Sequence, residues 1–164
     1  MIKKETLVYD SCGSIDSAVG PVSVYAQGDA IVFLEMAQEP AANDNRSPVV
    51  ELALEQLRQY FAGTSTILDF PTRAVGTEFQ QAVWQQIAKV PFGQTISYAQ
   101  IAERIGKPKA SRAVGGAVGS NPVPLVVGCH RVMGASDKIT GFSGGDGIPT
   151  KRWLLAHENI LSAD

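Results

Sequence analysis

Cys129 and His130 stand side by side at the end of the apolar run Leu125-Val126-Val127-Gly128. A thiol next to an imidazole is the pairing from which a nucleophilic thiolate is made. An inert core thiol can have the same neighbour, and adjacent side chains often point apart, so spacing alone leaves both readings open. A relay would run through a turn or a bridging water. The attacking species would be the thiolate. Near an ordinary pKa of about 8.5 only about 3% of a cysteine is ionised at pH 7, and lowering the pKa to about 5 raises that fraction roughly thirtyfold. The remaining thiol and imidazole groups are Cys12 and His157. With no Cys-x-x-Cys spacing a zinc site is not expected, and nothing suggests the oxidising compartment that a Cys12–Cys129 disulfide would need. Gly144-Gly145-Asp146-Gly147 lacks the Gly-Lys-Ser/Thr that would make a phosphate loop and is expected to be a flexible turn. His157 has the position of a surface histidine near a helix end.

Upstream of the cysteine lie two short helical stretches separated by Gly106-Lys107-Pro108, the outline of a helix-turn-helix. The second, Lys109 to about Val118, carries the glycines Gly115 and Gly116, each costing about 1 kcal/mol against Ala. Such a helix needs close approach by something large, either another helix or DNA. Arg104, Lys107, Lys109 and Arg112 around it, with Glu103 the nearby acid, favour DNA.

The elements that must position these residues are legible as patterns. Thr6–Tyr9, Pro21–Ala26 and Ala30–Leu34 read as strands, the last two flanking a Gly28-Asp29 turn. Ser47-Pro48 opens a helix carrying Val50, Leu54, Leu57 and Phe61 on one face. Residues 63–76 read as a short strand and a linker. Thr77-Glu-Phe-Gln80 and Ser97-Tyr-Ala-Gln100 are capping boxes, and Pro91-Phe92-Gly93 stops the helix between them. Trp84 and Trp153 lie on apolar stripes and are expected in the core. The expected architecture is an α/β N-terminal lobe over 1–76, a small antiparallel sheet plus a helix, followed by a mainly helical C-terminal domain over 77–164. Residues 1–76 carry 5 Lys/Arg against 10 Asp/Glu, a net of −5; residues 77–164 carry 9 against 6, a net of +3. The basic half is the one to expect on a polyanion. The N-terminus lacks a signal-peptide pattern and no segment is apolar enough to span a bilayer, so a cytoplasmic protein is expected.

Asn121-Pro-Val-Pro124, Cys129-His-Arg-Val132, Phe142-Ser-Gly-Gly and Lys151-Arg-Trp-Leu-Leu-Ala-His-Glu158, in that order, resemble the O6-alkylguanine–DNA alkyltransferase family. The likeness extends upstream through Phe92-Gly93, Ile96-Ser97-Tyr98 and Pro108-Lys-Ala-Ser-Arg112-Ala-Val-Gly-Gly, and covers 77–160. The resemblance implies a ribonuclease-H-like N-terminal lobe and a winged-helix-like C-terminal domain. It implies DNA repair: irreversible transfer of an alkyl group from O6-alkylguanine, and also O4-alkylthymine, to Cys129, once per molecule and without a cofactor. His130 is then the activator acting through a water and Glu158 the carboxylate that orients it. Tyr98 pushes on the lesion and donates to the base, and Asn121 braces the active-site turn. Arg112 fills the gap left by the flipped nucleotide, on a minor-groove face with Lys109, Ala110, Ser111 and Gly115. Ser143, Val132, Phe142 and Pro124 line the base pocket, with the carbonyls of Cys129 and Val132 reading the guanine amine. The implied partner is double-stranded DNA bearing the lesion, met by a monomer; no membrane is involved. Base flipping fits the chemistry, because a duplex hides the guanine oxygen and alkylation weakens pairing.

Two positions depart from the family pattern. Gly128 stands where proline is usual, and Phe142 where tyrosine is frequent. Gly128→Pro is expected to stabilise the fold and leave transfer intact. Three other functions are compatible with parts of the pattern: a non-catalytic sensor of alkylated guanine, a helix-turn-helix regulator indifferent to damage, and a cysteine hydrolase built from Cys129, His130 and Glu158. The sensor reading is weakened by the presence of Cys129.

Overall fold

A computed structural model describes residues 6–37, 39–142 and 144–161. Strands β1 (Ser11–Ile15), β2 (Val22–Gln27) and β3 (Ala30–Met36) form an antiparallel sheet in that order, with Val24 opposite Leu34 and Gly28 at φ +61° in the β2–β3 turn. Helix α1 (Pro48–Ala62) covers one face. Ser47 caps it through Val50 N–H and Pro48 occupies its first turn, where a missing N–H costs nothing. The face it turns inward, Val50, Ala53, Leu54, Leu57 and Tyr60, is buried.

The first strand differs from expectation. Thr6–Tyr9 is not a strand, whereas Ser11-Cys-Gly-Ser-Ile15 is. Its small residues serve close packing: a Cβ on Gly13 would lie 2.9 Å from Leu54 Cδ1 and 3.1 Å from Val50 Cγ1 of α1. Ser14 and Ser23 share a hydroxyl–hydroxyl hydrogen bond of 2.7 Å, and the buried Cys12 thiol donates to the Asn43 carbonyl. The strand expected within 63–76 is likewise absent. Only Thr72 bridges to Ile31, because Pro71 has no N–H with which to extend a ladder.

The second half runs α2 (Glu78–Ala88), β4 (Ile96–Ser97), α3 (Tyr98–Arg104) and α4 (Ser111–Gly119), then a one-turn 3-10 helix (Cys129–Arg131), β5 (Val132–Met133) and α5 (Ile148–His157). Both capping boxes close as expected, Thr77 with Gln80 and Ser97 with Gln100. Helix α4 begins two residues later than expected, since Lys107–Ala110 is a turn closed by Ala110 N–H to Lys107 O. Strands β4 and β5 pair in parallel, Ile96 with Val132 and Ser97 with Met133. That short ladder ties the cysteine turn to the start of α3.

The two lobes are joined by backbone bonds, Leu34 N–H to Pro122 O and Gly145 N–H to Met36 O, and by side chains around the end of α5. His157 is one of these. It is half-buried rather than on the surface, stacked on Trp153 at 4.7 Å and donating to the Tyr60 carbonyl at 2.6 Å. Trp84 is buried and its indole N–H donates to Ala117 O; Trp153 is half-buried against the core. Among the described residues no helix is long and apolar enough to cross a membrane.

Candidate active site and nucleic-acid interface

Asn121 and the prolines that follow it turn the chain after α4. Asn121 Oδ1 accepts from Val123 N–H at 3.0 Å and its amide donates to Val127 O at 2.9 Å, so one side chain closes the loop on both sides. Gly128, at φ −73° and ψ 64°, is the centre of an inverse γ-turn sealed by Cys129 N–H to Val127 O at 2.7 Å. This φ is one that proline also holds. A side chain at this position is a different matter. A Cβ on Gly128 would sit 2.8 Å from Arg131 Nη1, so proline here would displace that guanidinium.

Glu158, the residue that ends α5, is 1% exposed yet ionised. His130 Nε2 donates to its Oε2 at 2.6 Å, as does the Tyr60 hydroxyl at 2.6 Å. Arg131 spans both oxygens, Nε to Oε1 at 2.8 Å and Nη2 to Oε2 at 3.0 Å, and Gly93 N–H reaches Oε1 at 3.3 Å. Burial would raise the Glu158 pKa, but the bonds from His130, Arg131 and Tyr60 outweigh it and hold the carboxyl well below the usual carboxylate range. Burial also lowers the His130 pKa, against the pull of Glu158. The imidazole is therefore neutral at pH 7, with its proton on Nε2 and a lone pair on Nδ1. That Nδ1 is buried and has no hydrogen-bond partner among the described residues.

The surroundings of Cys129 do not lower its pKa in the way a resting thiolate would need. Burial pushes the Cys129 thiol up to about 11, with Asn121 and the Lys151 ammonium opposing it by less. Cys129 is 7% exposed, and desolvation of the anion outweighs the favourable neighbours. In the resting protein the sulfur is a thiol beside an unprotonated base, not an ion pair. The Lys151 ammonium is itself buried, donating to Val132 O at 2.6 Å and Thr140 O at 3.4 Å.

The sulfur is buried but not walled off. Cys129, Asn121, Pro124, Phe142 and Gly144 line a cavity of about 160 Å³ that reaches Met36 of β3. A second hollow, of about 320 Å³, is lined by Tyr98, Gly115, Val118, Gly119, Gly141 and Phe142 and also reaches Cys129. Tyr98 opens α3, with its hydroxyl 3.0 Å from Thr140 Oγ1. Val132 lies on β5 with its carbonyl engaged by Lys151. Ser143 falls outside the described residues.

Helix α4 settles what its glycines face. Val114, Ala117 and Val118 are turned inward. A Cβ on Gly115 would approach only Tyr98, at 3.9 Å, and one on Gly116 would meet nothing within 4 Å among the described residues. Gly115 is half-buried beside the first residue of α3, whereas Gly116 is exposed and open among the described residues. Arg112 and Lys109 are exposed on the same helix and its lead-in turn, while Ala110 and Ser111 are half-buried at its start. Lys107 stands over the Phe79 ring at 5.7 Å.

Of the residues singled out from sequence, Cys129, Asn121, Pro124, Phe142, Tyr98 and Gly115 converge on the two hollows, and His130 and Glu158 meet in the buried pair beside them. Sequence reasoning missed Tyr60, Arg131 and Lys151. Arg131 and Lys151 stood inside quoted motifs, but a buried cation cannot be told from a solvated one by type.

Two family models match the chain: the 6-O-methylguanine DNA methyltransferase DNA-binding domain over residues 78–160 and the 6-O-methylguanine DNA methyltransferase ribonuclease-like domain over 11–74. A methylated-DNA–protein-cysteine methyltransferase from Mycobacterium tuberculosis is 43% identical over 150 residues, covering 88% of this chain and 90% of the relative. One from Haemophilus influenzae is 36% identical, covering 90% and 86%. The crystal structure of Mycobacterium tuberculosis OGT in complex with DNA aligns with a TM-score of 0.80 at 42% identity, over 92% of this chain and 93% of that one. The two-lobed layout, the matched domains and the whole-length likeness agree: the chain belongs to the methylated-DNA–protein-cysteine methyltransferase family.

Proposed function

We propose that the protein repairs DNA by moving the alkyl group from the O6 atom of an alkylated guanine to Cys129 Sγ. The observation that carries this reading is a thiol at the junction of two hollows beside a neutral His130 whose free Nδ1 is turned away from Glu158. The DNA partner is supported by the relative solved with DNA and by the open, cationic side of α4.

Arg112, with Lys109, Ala110, Ser111 and Gly115, meets the minor groove, and Arg112 takes the space of the everted nucleotide. Tyr98 and Phe142 flank the base, Pro124 lines the pocket, and the Cys129 and Val132 carbonyls accept from the guanine amine. Asn121 keeps the cysteine turn rigid. The Cys129 proton passes through a water to His130 Nδ1, and Glu158 stabilises the imidazolium so formed. Sulfur attacks the alkyl carbon, the S–C bond forms as the C–O6 bond breaks, and the departing guanine takes a proton by way of Tyr98. Because the thiol is protonated at rest, ionisation is confined to the moment when a base fills the pocket and His130 can accept the proton. A thioether is left on Cys129. Among the described residues no group in the site is placed to cleave it, and each molecule acts once. The chemistry belongs to residues 77–164, with 1–76 as the supporting lobe.

Intact-mass measurement tests this. After incubation with duplex DNA containing O6-methylguanine, the protein gains the mass of one methylene and the reaction stops at one equivalent. An unchanged mass is the result of a sensor or regulator, and continued turnover that of a hydrolase.

A further inference from the structure

We infer that Tyr60, on helix α1 of the α/β lobe, is a positioning residue for the alkyl transfer: its phenol donates into the Glu158 oxygen that also accepts the His130 Nε2–H, and thereby sets how strongly Glu158 draws a proton onto His130. The inference rests on the function proposed above and assigns the N-terminal lobe a part in it.

Tyr60 is fully buried and lies 98 residues from Glu158 in sequence, yet its hydroxyl is 2.6 Å from Oε2, as near as the imidazole. Burial and the adjacent carboxylate push the Tyr60 phenol well above its ordinary pKa, so the hydroxyl is a donor throughout the working pH range. Oε2 thus serves three donors at once: His130 Nε2, Tyr60 Oη and Arg131 Nη2. Each donor that stabilises the negative charge leaves less of it to hold an imidazolium. The charged and titratable groups around His130 are Glu158 and Lys151 at the end and start of α5, Arg131 and Cys129 on its own turn, and Tyr60 from α1. Of these, Tyr60 alone comes from the N-terminal lobe.

The ring has a separate, structural task, meeting Phe61, Phe92 and His157 edge-on. Phenylalanine would fill that space equally well, so the hydroxyl is the part left to explain. Removing it concentrates charge on Oε2, makes His130 more basic and leaves it protonated, and so unable to accept the thiol proton, at a higher pH.

The test measures single-turnover methyl transfer across pH, alongside NMR titration of the His130 ring, in the unaltered chain, in Tyr60→Phe and with 3-fluorotyrosine placed at position 60. In Tyr60→Phe the acid limb and the His130 titration move up by about half to one pH unit. Transfer below both limbs is then roughly three- to tenfold slower, with a smaller change at high pH. The fluorinated phenol is a better donor and keeps the packing, so both move down; it also carries the test should the phenylalanine variant fail to fold. An acid limb and a His130 titration that stay in place in both, with only thermal stability altered, would overturn the inference. Failure of the unaltered chain to methylate Cys129 would instead remove the parent reading, while the His130 titration would still report whether Tyr60 acts on it.

Discussion

The two sides of Cys129 are built in opposite ways. Behind it, Glu158 receives hydrogen bonds from Tyr60, Gly93, His130 and Arg131, drawn from α1, the α2–β4 loop and the cysteine turn. In front, the glycine side of α4 meets little beyond Tyr98 among the described residues, and Arg112 is exposed. A relay that must hold one proton arrangement is over-determined by the protein itself. A face that must meet DNA is left sparse, because the partner supplies the missing contacts. Damage to the first should therefore cost both fold and chemistry, and damage to the second chemistry alone.

Glu158→Gln breaks the first side hardest. It leaves Arg131 buried without its counter-charge, a loss of about 3–5 kcal/mol in folding free energy. It also removes the stabiliser of the His130 imidazolium, slowing transfer about 10²–10³-fold. Chemical denaturation and single-turnover kinetics read the two effects separately.

Arg112→Ala breaks only the second side. Stability should stay within about 0.5 kcal/mol of the parent, since the side chain is exposed. Methyl transfer should fall about tenfold or more on duplex DNA, and much less on the free alkylated base, for which nothing has to leave a stack. Equal losses on both substrates would show that Arg112 acts on the pocket rather than on the duplex.

The pH dependence of stability sharpens the comparison, because its edges belong to the buried side. His130 has a depressed pKa in the fold, so the stability it contributes is present above its ordinary value of 6.5 and is lost as pH falls below it. Glu158, also depressed, adds a second loss below its ordinary 4.5. The Cys129 thiol is raised, so its contribution is present below its ordinary value and is lost as pH climbs towards about 11. Denaturation midpoints should form a plateau between these edges, and Cys129→Ser should weaken the alkaline one, to which the raised Tyr60 phenol also contributes, while leaving the acid one in place.

The smallest effect is at Gly116. A methyl group there meets no neighbour among the described residues, so Gly116→Ala should stabilise α4 by about 0.5–1 kcal/mol. The same methyl should weaken DNA binding in a titration at fixed salt. A variant that is both more stable and tighter on DNA would mean that the open side of α4 is not the contact face.

Much of this was readable from the chain itself, for identifiable reasons. Caps are local chemistry, so Ser47, Thr77 and Ser97 marked their helices correctly. The active-site order from Asn121 to Glu158 was legible through its resemblance to a family, not through spacing. Strand β1 was missed because Ser-Cys-Gly-Ser has little strand propensity; it pairs because Gly13 must lie under α1, which is a tertiary demand. Tyr60, Arg131, Lys151 and the half-buried His157 were missed because burial of a polar side chain depends on partners far away in sequence. The resting state of the Cys129 thiol could not be read for the same reason. A cysteine beside a histidine suggests an anion, and only the packing around it shows that desolvation prevails.

The most direct test follows isotope-labelled methyl from O6-methylguanine in duplex DNA into proteolytic peptides of the protein. The account predicts S-methylcysteine at position 129 in one copy per chain, an unlabelled Cys12, and unmodified guanine left in the DNA. Label on Cys12, or label released into solution as a small alcohol, would contradict it.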